Sequence, residues 1–197
     1  GKKSKPEQGR DHVPTERLAA ADSGYNSLIE DQHVDPNAGE SMAVFSEAKQ
    51  KVTDLGLKNL RIRGLKVETR MESAVHAKIE VLCDDENGII EFQTLLNETK
   101  DRIHFTYVRL MGDSTHQMMV NKVKVGQRGM EAIIEMFQVG HFKWTYEFRF
   151  YNFDPEPTPM IAYVDSLVNN PTLQTIGFAR NGLNQDMCAA ILQRLYY

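Results

Sequence analysis

Phe148 and Phe150, in the segment WTYEFRFYNF, are followed 28 residues later by Ile176 and Phe178 in LQTIGFARN. Between them Met160, Ile161, Val164, Leu167 and Val168 form a helical stripe that Asn169, Asn170 and Pro171 close. One strand and one helix per unit cannot enclose a core alone. A fixed period of this length therefore predicts stacked neighbours with parallel strands. One unit further back the phase lands on Val120, and the nearest apolar pair, Val123 and Val125, is three residues out of step.

The rest of the chain supplies more elements of the same two kinds. SMAVFSEAKQKVTDLG carries a helical stripe ending at Gly56, and LKNLRIRGLKVETR and VHAKIEVLCDD read as paired strands. Asp85 is placed to cap a helix through IIEFQTLLNETK. RIHFTYVRLM, the turn signal GDST and QMMVNKVKVG predict a second hairpin, followed by the helix GMEAIIEMFQVG, which Gly140 stops. Thr158 and Pro159 predict the start of the next helix and Asn184 the cap of the last. The expected fold class is α/β, with a strand–helix ladder in the C-terminal half preceded by two ββα units. Residues 1–40 are polar and rich in charge, and are expected to be a disordered tail, with 41–197 a single domain.

Charge and cysteine content narrow the function classes. A net charge of −4 argues against a nucleic-acid or anionic-membrane partner for the chain as a whole. No apolar run is long enough to span a bilayer, and the N-terminus has no signal-peptide core. Cys83 and Cys188 each lie in an apolar segment, which fits buried free thiols in a reducing, cytoplasmic setting.

No catalytic pattern emerges. The six His residues lack the helical spacing of a zinc protease, although His104 and His116 would meet across the expected second hairpin. CDDEN at 83–87 concentrates acids, a pattern better explained by a helix N-terminus than by a cation site. Gly126 and Gly129 precede a helix without a phosphate-loop fingerprint. The expectation is a non-enzyme with no cofactor and no metal.

The segment MIAYVDSLVNNPTLQTIGFARNGLNQDMCAAILQRL resembles a unit of the ribonuclease-inhibitor type of leucine-rich repeat. It is similar in particular to the last units of the tropomodulin family, with VNKVKVGQRGMEAIIEMFQ compatible with the unit before it. The resemblance covers about residues 117–197. It implies a leucine-rich-repeat-like architecture and protein binding, with actin filament ends as the family's partner. Asn181 would hydrogen-bond backbone groups in the turn after its strand.

Strand alternation then nominates a contact surface. Trp144, Tyr146, Phe148 and Phe150 share the core face, which leaves Lys143, Thr145, Glu147, Arg149 and Tyr151 outward. In the next unit Gln174, Thr175 and Arg180 point the same way. The alternative is an RNA-binding or ribonucleoprotein scaffold whose contacts would be Arg61, Arg63 and Lys66 on one strand and Lys122, Lys124 and Arg128 on another segment. Self-association through an end strand is the third expectation.

Overall fold

Apolar stripes at helical spacing, closed by glycines that accept a left-handed backbone, set the helix ends. Gly56 (φ 67°) and Gly140 (φ 85°) stand just beyond two of the helices, as expected. The computed structural model describes residues 37–113, 121–179, 181–183 and 185–196. Helix α1 is Ala38–Asp54, β1 Leu60–Arg70, β2 Val75–Cys83, α2 Glu86–Thr99, β3 Ile103–Gly112 and β4 Val123–Val125. There follow α3 Gln127–Gln138, β5 Glu147–Tyr151, β6 Phe153–Pro155, α4 Pro157–Val168, β7 Thr175–Ala179 and α5 Gln185–Tyr196.

The class is α/β, built on a mixed five-stranded sheet of order β1-β2-β3-β5-β7. Strand β1 is antiparallel to β2, which makes the first expected hairpin correct. All later neighbours in this sheet are parallel. Val75 lies opposite Ile103 and Glu147 opposite Thr175, both at the 28-residue spacing; between β3 and β5 the step widens to 40.

Among the described residues the second expected hairpin does not form. Strand β4 pairs in parallel with β6 in a separate two-stranded sheet, leaving β3 as the direct neighbour of β5. The Val123–Val125 pair was out of phase because it belongs to this side ladder. Helix α4 also starts earlier than expected: Glu156 is the N-cap and Pro157 takes the first turn, where its missing N–H costs nothing. The expected cap Asn184 lies outside the described residues, as do residues 1–36 of the expected tail.

One face of the sheet carries the core. Ala77, Ile79, Val81, Phe105, Val108, Leu110, Phe148 and Phe150 pack against Ile89, Phe92, Leu95, Ile133, Met160, Tyr163 and Ile191 from the helices. Each helix from α2 onward packs on the next in sequence, so both layers advance together. At the strand ends, polar side chains bond each unit to the one before it. Thr106 Oγ1 donates to the Ala77 carbonyl (3.3 Å), Thr145 Oγ1 to Phe105 (2.6 Å) and Thr172 Oγ1 to Lys143 (2.7 Å). Asn170 Nδ2 donates to Phe142 (2.9 Å), Asn152 Nδ2 to Gly112 (2.7 Å) and Asn181 Nδ2 to Phe150 (3.0 Å). Asn181 thus reaches the neighbouring strand rather than its own turn.

The acidic run at 83–87 behaves as a helix start. Asp85 caps α2 by accepting from Asn87 N at 2.8 Å, and Asp84 pairs with Arg61 at 3.1 Å. Glu86 reaches across to α3, where its carboxylate accepts from Gly126 N (3.0 Å) and Gly129 N (3.3 Å). The glycine pair therefore already holds an anion, supplied by the chain itself. Among the described residues no group of three or more His, Cys, Asp or Glu is arranged to hold a metal.

Candidate functional site

The opposite face of the sheet has no helix packed on it among the described residues, and its side chains line up in rows across the strands. One row runs Lys66, Lys78, Tyr107, Glu147 and Thr175; the next runs Gly64, Glu80, Arg109, Arg149 and Gly177. A third joins Arg61, Leu82, Met111 and Tyr151. Leu82, Met111 and Tyr151 form a small apolar cluster of their own, separate from the main core.

Three β-bulges adjust this face. The extra residues are Arg63 and Glu68 in β1 and Thr106 in β3. Bulges re-aim side chains, and here they bring Glu68 and Thr106 together although they are distant in sequence. Glu68 accepts from Thr106 Oγ1 (2.8 Å) and Tyr146 Oη (2.8 Å) and pairs with Lys78 Nζ (3.3 Å). Burial alone would raise the Glu68 carboxyl, but the hydrogen bonds from Tyr146, Thr106 and Lys78 outweigh it and hold it below its usual range. Burial works against the Lys78 charge as well, and Tyr146 and Glu68 more than offset it, so its proton is bound more tightly than usual.

Beside this cluster, Arg109 donates to Glu80 at 3.0 Å, with both side chains buried, and Arg63 stands 3.9 Å from the same carboxylate. Arg149 donates to Glu147 (3.0 Å) and to Tyr151 Oη (2.6 Å) and lies over the Tyr151 ring. Burial opposes the Arg149 charge, yet Glu147 and the Tyr107 and Tyr151 oxygens hold its proton more tightly than usual. The result is a preorganised mosaic of paired charges and aromatic hydroxyls, in which Glu80, Arg109, Tyr107 and Tyr151 are buried while Lys78, Glu147 and Arg149 are half-buried and reach solvent. Nothing in it aligns a nucleophile with a base. Cys83 lies on the core side, where burial, then Asp84, pushes its thiol well up and keeps it protonated.

The expected contact residues divide. Glu147 and Arg149 stand half-buried on the open face, with Gln174 and Thr175 exposed at its edge, whereas Tyr151 is on that side but buried against Leu82 and Met111. Arg180 lies outside the described residues. Thr145 is fully buried and belongs to the inter-unit hydrogen bonds, so it is corrected from surface to interior. Lys143 precedes the strand and sits in a turn beside Trp144, its ammonium 5.5 Å from the indole centroid. Trp144 and Tyr146 are corrected in the other direction: Trp144 is 41% exposed and Tyr146 turns its hydroxyl to Glu68. The strand begins only at Glu147, so the alternation does not reach these residues. Residues 141–144 form a turn, and Tyr146 O accepts from both Gln174 N and Thr175 N, which breaks the two-residue period.

The two basic groups remain apart, on different sheets. Arg61, Arg63 and Lys66 lie on β1, while Lys122 and Lys124 accompany β4 and Arg128 sits in the first turn of α3. Of the two cysteines, Cys83 is buried as expected but Cys188 is exposed on α5. His116 lies outside the described residues, and His104 meets His76 instead, with a nitrogen–nitrogen distance of 3.2 Å. That contact follows from the parallel register, which strand periodicity alone does not reveal.

A cavity of about 540 Å³ adjoins this end of the sheet, lined in part by His104, His141, Lys100 and Trp144. His141 Nε2 lies 2.6 Å from Asn97 Oδ1. Burial, reinforced by Lys100, holds the His141 imidazole below its ordinary value. The folded chain then binds this proton less readily than the unfolded one. Its stabilising contribution is complete above the unfolded value of about 6.5 and is lost as pH falls through the folded value. Thermal midpoints should therefore fall on moving from neutral to mildly acidic pH, and His141→Gln should flatten that fall. An equal pH dependence in the variant would refute the assignment.

Comparison with protein-family models, with curated proteins and with solved structures finds no match for this chain. No helix among the described residues is long and apolar enough to cross a membrane.

Proposed function

We propose that the chain is a non-enzymatic protein-interaction module whose partner docks on the open sheet face. The observation that carries this reading is the arrangement of parallel neighbours β2-β3-β5-β7, with the core on one side and a charged, aromatic mosaic on the other. Extended faces of this kind suit partner binding, since rigid strands hold the side chains while paired charges set orientation. We read the ladder as leucine-rich-repeat-like, a view supported by the 28-residue register of β5 with β7 and by the spacing of 28, then 29 past the bulge, between β2 and β3. On the strength of the tropomodulin resemblance, actin filament ends are the first partner to try, in a cytoplasmic setting.

The test is a binding comparison between the full chain and a variant with Lys78→Gln and Arg149→Gln. These changes remove two half-buried charges while keeping a polar side chain. A control variant carries Lys49→Gln and Arg194→Gln on the helix layer. Partner capture from a nuclease-treated extract, and co-sedimentation with filamentous actin, should be weakened about tenfold or more by the first pair and left unchanged by the second. Equal binding by both variants would exclude the open face. Loss of capture on nuclease treatment would transfer the reading to RNA and to the basic residues of β1.

A further inference from the structure

We propose that His76 and His104 form a bis-imidazole site for a late first-row divalent cation such as Zn²⁺, at the start of the open sheet face. The two residues are direct partners in the parallel register of β2 and β3. The core neighbours Ala77, Ile103 and Phe105 place both imidazoles on the side away from the helices. His104 Nδ1 and His76 Nε2 lie 3.2 Å apart. Two nitrogens each about 2.0–2.1 Å from one ion are separated by roughly 2.9 Å at a right angle and roughly 3.4 Å at the tetrahedral angle. The observed spacing lies inside that interval; the two nitrogens now share a hydrogen bond, so a cation would take the place of that proton, the donor ring shifting to its other tautomer so that both lone pairs face the ion.

The surroundings support the same assignment. Trp144 stacks on His104 at 5.2 Å and 15°, and lies 5.2 Å from the His76 ring, which restrains both imidazoles. Lys143 opposes a bound cation and Asp101 favours it. No third protein ligand joins the pair among the described residues. The site therefore supplies two ligands and leaves the remaining positions to water. It is independent of which partner the open face binds.

Trp144 is the only tryptophan in the chain and reports on the site directly. Cu²⁺ quenches a nearby indole and serves as the probe, with Zn²⁺ as the competitor. The full chain should show saturable quenching of Trp144 emission that excess Zn²⁺ reverses. His76→Gln and His104→Gln, which keep a polar side chain but remove the imidazole, should each raise the half-quenching concentration roughly tenfold or more. A variant with His12, His33 and His116 all changed to Gln should titrate like the parent. Parent-like titration by both folded single variants, or quenching that Zn²⁺ does not reverse, would overturn the site. So would loss of quenching in the triple variant alone.

Discussion

Arg109→Leu is expected to destabilise the chain by about 3–5 kcal/mol, because it removes the 3.0 Å ion-pair partner of a buried carboxylate. Glu80 is 0% exposed and Arg109 7% exposed, and their 3.0 Å contact joins β2 to β3 at the centre of the sheet. With the guanidinium gone, the Glu80 carboxylate keeps its remaining contacts, Arg63 at 3.9 Å among them, but loses its 3.0 Å ion pair in a dry setting. The double variant, with Glu80→Leu added, removes both charges and should recover most of the loss, since a buried ion pair and a well-packed apolar pair are often comparable in stability. Thermal unfolding followed by circular dichroism distinguishes the cases. At roughly 2–4 °C per kcal/mol for a chain of this size, the single variant should melt about 10 °C lower. A single variant that melts with the parent, or a double variant no better than the single, would contradict this account.

The second large effect is expected at Asn152. Its φ is 60°, a conformation that Asn tolerates far better than most residues, and it is fully buried. Its Nδ2 donates to Gly112 O (2.7 Å) and Asn121 O (2.8 Å), which ties the β4–β6 ladder to the end of β3. Asn152→Ala should lose on two counts: about 1–3 kcal/mol for buried carbonyls left unsatisfied, and about 1 kcal/mol or more for the left-handed backbone. Asn152→Gly removes the same hydrogen bonds but adopts the backbone without strain, so it should be measurably the milder change. Gly and Ala variants of equal stability would show that backbone strain contributes nothing here.

Sequence and structure agree where one local signal suffices. The helix stops at Gly56 and Gly140, the Asp85 cap and the apolar stripes of α2 and α3 are each fixed within a few residues of chain. So is the register of Glu147 against Thr175, because nothing is inserted between β5 and β7 to disturb it. The failures lie where pairing is non-local. Val123 and Val125 look like an ordinary strand beside β3, and only the pairing of β4 with Phe153–Pro155 shows otherwise. Bulges at Arg63, Glu68 and Thr106 leave no clear mark in the pattern of apolar residues, yet they decide what faces Tyr146. The candidate site was accordingly half legible. Glu147, Arg149 and Tyr151 follow from alternation, whereas Glu68, Lys78, Tyr107 and the His76–His104 contact require knowledge of which strand lies next to which.

The hydrogen bonds between units have a common direction. In every one of the six the donor side chain belongs to the later unit and the carbonyl acceptor to the earlier one. Such a chain of dependence is asymmetric. If the last rung is lost, the rung before it is left with carbonyl groups at a newly wetted edge, which water satisfies readily. If an early rung is lost, the next is left with inward-pointing hydroxyl and amide donors whose acceptors are gone. As far as these side-chain hydrogen bonds are concerned, disruption of the last rung should cost less than disruption of an earlier one.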